Sequence, residues 1–181
     1  MKSSAERDKV RPAGYNKTMA RKPGSKDLAE NRRARFDYDI LETYEAGLEL
    51  LGQEVKSAKG GRLQLAGSYV VIRPALRRGL RRGEGGEAWL LNSQIPAYQP
   101  KNMREDYDPG RSRRLLLHSG EIRTLRGKLN EKGLSLLPLR AYSKHGIIKV
   151  ELGLGRSRKA HDKREAIKKR EAKREMKNRP E

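Results

Sequence analysis

The sequence predicts a mainly β protein whose antiparallel sheet is closed, or nearly closed, into a small barrel with few helices. Short strands with alternating polarity recur along residues 31–155, Gly and Pro separate them, and no βαβ rhythm is present. About 120 residues bury roughly two-thirds of their unfolded surface, enough for one modest core. The predicted organisation is a flexible basic N-terminal arm at 1–30, the barrel at 31–155 and a basic C-terminal tail at 156–181.

The first predicted strand covers residues 36–50, where apolar and polar side chains alternate. A helix is the alternative, because Glu, Leu and Ala are good helix formers, but Gly47 and the Tyr, Ile and Thr content favour a strand. Gly52 ends this strand, and residues 53–58 are typical of a short helical turn. The apolar positions are Tyr38, Ile40, Tyr44, Ala46, Leu48 and Leu50.

A second strand is predicted from Leu63, Leu65 and residues 69–72, and a third at 88–95, which contains the single tryptophan Trp89. Residues 73–87 between them are rich in arginine and glycine, which predicts a long loop at the tip of a hairpin. This loop is either a flexible finger that grips RNA or a neutral insertion whose arginines stay solvated.

The second half of the predicted barrel contains one helix and two strands. Residues 96–113 form a loop with a turn at 108–110, and Ser119 is the expected N-cap of a helix that Gly133 stops. The helix buries Ile122, Leu125 and Leu129, which share one face. Strands at 134–142 and 147–154 are joined by a turn at 143–146.

Net charge is the strongest compositional signal, because 43 Lys and Arg face 23 Asp and Glu, giving +20. A positive field of this size attracts nucleic-acid phosphates, with an anionic membrane surface as the weaker alternative. No apolar run of spanning length and no signal-peptide segment is present, so we expect a cytoplasmic protein that does not bind membranes. The lack of cysteine excludes disulfides, thiolate catalysis and Cys-based zinc sites.

The tail at 156–181 contains twelve Lys or Arg against five Asp or Glu, and Ile167 and Met176 are its only large apolar side chains. Asp162 and Glu165 are spaced as a helix N-terminus, which predicts a helix that orders only against a polyanion. The alternative is a solvated tail that mainly aids solubility.

Catalytic patterns are scarce. His118, His145 and His161 lack the spacing of a metal pair, and turn acids such as Asp106 and Asp108 usually cap backbone amides. No phosphate-binding glycine loop is present, so we expect no catalytic residues, cofactor or metal. Besides an RNA-binding adaptor, a basic ribosomal or ribosome-assembly protein and an RNA-processing enzyme stay open.

An ordered set of short motifs resembles the SsrA-binding protein (small protein B) family. The motifs are NRRARFDY at 31–38, YEAG at 44–47, GQEVKS at 52–57, DPGRSRRLLLH at 108–118, EKG at 131–133, LPL at 137–139 and HDKR at 161–164. The resemblance implies an oligonucleotide-binding (OB) type barrel. It further implies that the chain binds the tRNA-like domain of transfer-messenger RNA (tmRNA, or SsrA RNA) and delivers it to the A site of stalled ribosomes.

The same resemblance implies a ribosomal role for the tail, which would enter the empty mRNA channel as a helix while the body lies near the decoding centre. It implies a monomer, with alanyl-tRNA synthetase and elongation factor Tu as indirect partners through tmRNA. Ser157 replaces a common glycine at the junction of body and tail.

Site residues follow from the same motifs. Glu45, Leu116 and His118 fall where the family contacts RNA, and Phe36 falls near the decoding centre, where relatives often have His. Two alternatives stay open: Glu45 only pairs with a surface cation, and Leu116 belongs to the core. The expected RNA-binding residues are Arg35, Phe36, Glu45, Lys56, Arg113, Arg114, Leu116, His118 and Lys144. The expected tail residues for the ribosome are Lys159, His161, Asp162, Lys163, Arg164, Lys168 and Lys169.

Overall fold

The structure is a computed structural model that describes residues 25–74, 86–100, 106–130 and 133–158. The predicted tail residues and most of the N-terminal arm and of the arginine-glycine loop lie outside these ranges. The elements in chain order are β1 (Ser25–Glu30), α1 (Arg32–Asp37), β2 (Tyr38–Leu48), α2 (Gly52–Lys59), β3 (Tyr69–Pro74), β4 (Gly86–Leu91), β5 (Arg113–Leu116), α3 (Ser119–Leu129), β6 (Leu134–Lys144) and β7 (Ile147–Ser157).

The sheet closes on itself through β6. The strand order is β1-β6-β3-β4-β5-β2-β7, and a further pairing of β6 with β7 joins the last strand to the second. Every pairing is antiparallel, so six strands form a ring and β1 is added outside it. This arrangement confirms the predicted antiparallel barrel with few peripheral helices.

The barrel interior is filled by the apolar side chains that the alternation predicted. In β2, Ala46 and Leu48 point inward, while Glu45, which precedes Ala46, is half-buried on the other face. Leu125 of α3 is fully buried, so this helix closes the interior with the face predicted for it. Further core side chains with at most 1% exposure are Leu65, Leu90, Ile95, Leu136, Val150, Leu152 and Leu154.

The predicted boundary of the N-terminal arm at residue 30 is wrong, because residues 25–30 form β1 along β6. Only Leu28 of this strand is buried, at 9% exposure. One inward side chain among charged neighbours gives no visible period in the sequence, and the strand forms because the edge of β6 offers it backbone partners. At the other end, β7 runs to Ser157, so the barrel also extends two residues past its predicted limit.

Helix α1 was missed by the sequence analysis. Its N-cap is Asn31, whose side-chain oxygen accepts a hydrogen bond from the Ala34 amide at 3.1 Å. The Asn31 amide also donates to the carbonyls of Leu65 and Pro138, both at 3.0 Å. Six residues with only Ala34 buried show no apolar period, so tertiary hydrogen bonds rather than a pattern place this helix.

Three predicted boundaries are corrected by local backbone geometry. The third strand ends at Leu91 rather than at residue 95, because Asn92 has a positive φ of 58° that turns the chain. Leu63 and Leu65 are buried but precede β3 instead of belonging to it. His118, not Ser119, is the N-cap of α3.

The turn between β6 and β7 is tighter than predicted. It consists of His145 and Gly146, whose φ values of 49° and 80° are both positive, as in a two-residue hairpin turn that matches the strand twist. The strands predicted on either side of it are confirmed: β6 extends two residues further towards the turn, and β7 begins where predicted and extends three residues further at its other end.

Candidate nucleic-acid interface

The strand register aligns six positions on the outer face of the sheet into one line across the barrel, which we call the outer row. Five of them are at least partly exposed, and the last, Tyr142, is covered, at 1% exposure. Its members, from β3 to β6, are Arg73, Glu87, Leu116, Gly47, Lys149 and Tyr142. Arg73 pairs with Glu87, Leu116 with Gly47, Gly47 with Lys149, and Lys149 with Tyr142. Ala88 pairs with Leu115, so the next residues along, Glu87 and Leu116, are also cross-strand neighbours.

Leu116 occupies the centre of the outer row and is 53% exposed. The adjacent Leu115 points into the barrel at 2% exposure, so the alternative that Leu116 belongs to the core is wrong. A β-carbon added to Gly47 would lie 3.3 Å from the β-carbon of Leu116, so the glycine lets the leucine lie close over β2. The sheet therefore holds a large apolar side chain in solvent at the centre of the outer row.

Glu45 lies on β2 beside the outer row and joins two of its members. Its carboxylate accepts a hydrogen bond from Lys149 Nζ at 2.5 Å and another from the hydroxyl of Tyr142. Burial and the hydrogen bond to Glu45 raise the pKa of Tyr142, so its hydroxyl stays a donor at neutral pH. The side chains of Glu45 and Lys149 keep 29% and 31% of their surface exposed. Pairing with a cation and access for RNA are therefore both possible at Glu45.

A buried ion pair supports this arrangement from β6 and β7. Arg140 Nε donates to Glu151 at 2.6 Å, and both side chains are more than nine-tenths buried. Glu151 pairs with Glu45 in the strand register, and the Arg140 guanidinium lies 5.1 Å from the centre of the Tyr142 ring. Arg140 therefore contacts both Glu151 and Tyr142, and Tyr142 in turn donates to Glu45, so this network helps to hold the Glu45 carboxylate in place.

Arg113 is not an RNA contact, and this part of the sequence prediction is wrong. Its side chain is fully buried and donates to the Glu54 carboxylate, to Ser93 and to the carbonyls of Arg111 and Pro109. Lys and Arg are almost never fully buried unless they are paired, and here an acidic residue 59 positions away supplies the partner. Nothing near Arg113 in the sequence reveals that partner.

Glu54 is the centre of this second polar cluster and links α2 to the start of β5. Burial alone would raise the pKa of the Glu54 carboxyl, but hydrogen bonds from Arg111 and the Leu51 amide, with the charge of Arg113, hold it below its usual value. Arg111 Nη2 lies 2.5 Å from the carboxylate. The cluster is structural, since it fixes the strand whose next residues, Arg114 and Leu116, face outward.

Arg114 and His118 remain accessible on either side of Leu116. The Arg114 side chain is 36% exposed and lies 3.1 Å from Glu87, which pairs with Arg73 on the neighbouring strand. His118 is exposed at the N-cap of α3, where its backbone amide donates to Glu121 at 3.0 Å. Arg114 shares the outer face of β5 with Leu116, and His118 follows Leu116 by two residues, at the start of α3.

Helix α3 is tied to β2 by a surface cluster. Lys128 in the last turn of the helix pairs with Glu42, and Tyr44 donates to the same carboxylate at 2.6 Å. The hydrogen bond from Lys128, followed by that from Tyr44, holds the pKa of Glu42 below its usual value. This cluster fixes the helix whose first turn carries His118.

Of the other predicted RNA contacts, Arg35, Phe36 and Lys56 lie on helices apart from the outer row, whereas Lys144 lies two residues from Tyr142 on β6. Arg35 is exposed and Phe36 half-buried on α1, which packs on Leu137 and Leu139 roughly 20 Å along β2 from Glu45. Lys56 on α2 lies 5.9 Å from the centre of the Tyr98 ring, and Lys144 is half-buried at the end of β6. The predicted tail residues from Lys159 to Lys169 lie outside the described residues.

Lys149 was missed as a site residue, although its alternation with inward residues of β7 is visible in the sequence. What the sequence does not show is the register that brings Lys149 opposite Gly47 and within reach of Glu45. Among residues 25–74, 86–100, 106–130 and 133–158, no group of three or more His, Asp or Glu could hold a metal ion. No helix in those ranges is long and apolar enough to cross a membrane.

Comparison with known proteins identifies a matching family and its relatives. Residues 28–180 match the family model described as SmpB protein. The SsrA-binding protein of Thermosynechococcus vestitus is 51% identical over 151 residues, covering 83% of this chain and 92% of the relative. The SsrA-binding protein of Chlorobaculum tepidum is 48% identical over 162 residues, covering 87% of this chain and 96% of the relative.

A solved structure gives the same relationship. A chain of "tmRNA-SmpB: a journey to the center of the bacterial ribosome" is 45% identical to this one and superposes with a TM-score of 0.56, covering 76% of this chain and 92% of the solved one. The sequence and fold agree over about three quarters of this chain, and the resemblance inferred from motifs is confirmed. The chain belongs to the SmpB family of SsrA-binding proteins.

Proposed function

We propose that this chain binds tmRNA as a non-catalytic adaptor and brings it to stalled ribosomes in the cytoplasm. The relatives are SsrA-binding proteins, and the solved relative is described by the words tmRNA-SmpB and bacterial ribosome. The observation that carries the proposal is the exposed Leu116 held over Gly47, with Lys149 and Glu45 beside it and Arg114 and His118 flanking it.

The chemistry of this patch suits a folded RNA. Lys149 and Arg114 supply cations for phosphates, while Leu116 and His118 offer surfaces on which a base or ribose packs. Glu45 accepts hydrogen bonds from base amino groups or orients Lys149 towards a phosphate. A patch of mixed character reads the shape of an RNA element, and we assign the tRNA-like domain of tmRNA to it.

The predicted C-terminal tail completes the adaptor. The basic tail at 156–181 would neutralise phosphates without sequence preference. We assign to it entry into the empty mRNA channel while the chain occupies the A site of the ribosome. Phe36 on α1 and the start of the tail lie at one end of the barrel, where Arg158 donates its amide to the carbonyl of Asp37 at 2.9 Å. We assign this end to the decoding centre.

The test compares binding of a labelled tRNA-like fragment of tmRNA with that of tRNA and a ribosomal RNA fragment at one fixed salt concentration. We expect preference for the tmRNA fragment, and we expect Leu116→Ala to weaken it without lowering the free energy of unfolding. The matched control is Leu115→Ala, which should cost about 2 to 5 kcal/mol of stability because Leu115 is buried.

Equal affinity for all three RNAs would contradict the proposal and favour a general ribosomal RNA-binding protein. A Leu116→Ala variant that binds the tmRNA fragment as well as the parent chain would remove the outer row from the interface.

A further inference from the structure

The outward face of the β3–β4 hairpin carries the only tryptophan of the chain, Trp89. Trp89 is half-buried and belongs to neither of the two apolar clusters formed by the described residues. Tryptophan is one of the largest apolar side chains, and burying it would stabilise the core substantially. Its position outside the core therefore requires another explanation.

Two arginines flank Trp89. The guanidinium carbon of Arg73 lies 5.8 Å from the centre of the Trp89 ring, within the range of a cation–π contact. On the other side, Trp89 pairs with Arg114 in the register of β4 and β5. The Arg114 side chain reaches diagonally to Glu87 at 3.1 Å and stays 36% exposed. The ring thus has one guanidinium group in contact with it and a second arginine beside it on the neighbouring strand.

This group is continuous with the proposed RNA interface. Trp89 and Leu116 lie on adjacent strands, and because Trp89 pairs with Arg114 they are diagonal neighbours, which places their β-carbons about 7 to 8 Å apart. Arg73 is itself the first member of the outer row. An RNA that lies on Leu116 therefore has Trp89 within reach of its next one or two nucleotides.

We propose that Trp89, with Arg73 and Arg114 beside it, stacks an unpaired nucleobase of the RNA that binds the outer row. The inference rests on the proposed function and extends it to a site on β3 and β4. The aromatic face supplies sequence-tolerant stacking, and the two guanidinium groups lie where they reach the phosphates on either side of the stacked base. Glu87 keeps Arg114 in place until the RNA phosphate competes for it.

A structural role is the competing explanation. An Arg–Trp contact on adjacent strands stabilises a hairpin on its own, by about 0.2 to 1 kcal/mol. That role predicts a loss of stability on removing Trp89 and no effect of RNA on the ring environment. The two explanations therefore predict different effects of RNA on the fluorescence emission of Trp89.

The experiment uses the full chain, in which all tryptophan emission comes from Trp89. Titration with the tRNA-like fragment of tmRNA should quench this emission in parallel with binding, measured independently by the anisotropy of labelled RNA. Trp89→Ala should weaken binding roughly tenfold or more, as loss of one stacked base does, while Trp89→Phe keeps most of the affinity.

The matched control is Tyr98→Ala. Tyr98 is also exposed and contacted by two cations, Lys56 at 5.9 Å and Arg62 at 5.2 Å, but it lies on the loop after β4 and not on the outer row. We expect no change in affinity for the fragment.

Binding of the parent chain without a change in Trp89 emission, or unchanged affinity of Trp89→Ala, would overturn the stacking site and leave the proposed function intact. Absence of binding by the parent chain would overturn both. A Trp89→Ala chain that fails to fold leaves the emission titration of the parent chain as the deciding measurement.

Discussion

Gly47 lies directly opposite Leu116 in the pairing of β2 with β5, and a β-carbon on Gly47 would come within 3.3 Å of the Leu116 β-carbon and 3.4 Å of its Cδ1. Glycine is favoured here by this close approach rather than by an unusual backbone angle. The exposed leucine and the bare strand beneath it form one feature. The geometry of the proposed RNA patch therefore depends on a residue that itself has no side chain.

Gly47→Ala should shift Leu116 and weaken binding of the tmRNA fragment several-fold. Since Leu116 is exposed and a shift of a few tenths of an ångström relieves the 3.3 Å contact, we expect the free energy of unfolding to change by less than about 1 kcal/mol. Anisotropy titration and urea unfolding of the same variant measure the two effects. The control is Gly127→Ala in α3, where an added β-carbon meets nothing within 4 Å and should stabilise the helix by up to about 1 kcal/mol. A Gly47→Ala chain with parental RNA affinity would contradict the prediction.

The same substitution should affect different properties at two neighbouring arginines: stability at Arg113 and the salt dependence of RNA binding at Arg114. Arg113→Met removes a fully buried guanidinium from the Glu54 carboxylate and should cost about 3 kcal/mol or more of stability. Arg114→Met should leave stability nearly unchanged and reduce the slope of log affinity against log salt by about 0.7 to 0.9, as loss of one phosphate contact does. Thermal unfolding and a salt series distinguish them. A salt slope that stays the same in Arg114→Met would exclude this arginine from the phosphate contacts.

Stability should fall in acid through Glu54. The pKa of this carboxyl is lower in the folded chain than its ordinary value of 4.5, so its contribution is fully present above about pH 4.5 and is lost as pH falls through the folded pKa. Glu54→Gln lacks this contribution, so its deficit in the free energy of unfolding should be largest at neutral pH and shrink in acid. Urea unfolding of both chains at a series of pH values measures the deficit. A deficit independent of pH would show that the charge of Glu54 is not what stabilises the cluster.

The position at which the tail is removed should decide what is lost. The last strand continues to Ser157 and the Arg158 amide bonds to Asp37, so a chain ending at residue 158 keeps the closed barrel, whereas one ending at 154 loses three residues of β7. We expect the longer truncation product to bind the tmRNA fragment nearly as well as the full chain while failing to support peptide tagging on ribosomes that lack downstream mRNA. The shorter one should also lose stability. Tagging by the chain ending at 158 would contradict the role assigned to the tail.

The barrel was predictable because apolar residues alternate with polar or small ones in its strands, as in β7, where Ile148, Val150, Leu152 and Leu154 point into the core. The same reasoning failed for β1 and α1, since Leu28 and Ala34 are the only buried residues in those two elements. Both form because other parts of the chain offer hydrogen-bond partners, and local pattern carries no trace of a partner that is about 110 residues away. These are tertiary effects on short elements.

The candidate site shows the same division. Leu116 and Glu45 were predicted from motifs, and the structure places them side by side. Lys149 was missed and Arg113 was assigned the wrong role, because charge alone does not distinguish a solvated cation from one buried against a distant carboxylate. The strand register places Lys149 opposite Gly47 on the outer face, and the folded chain brings the Glu54 carboxylate to the buried Arg113.

The hydrogen bond between the Arg158 amide and the Asp37 carbonyl has a consequence for how the chain meets a large partner. It ties the point at which the tail leaves the barrel to the last residue of α1, next to Phe36. More than a hundred residues separate Phe36 from Arg158 in sequence, yet both lie at one end of the barrel. A partner that engages Phe36 therefore meets the start of the tail in the same encounter.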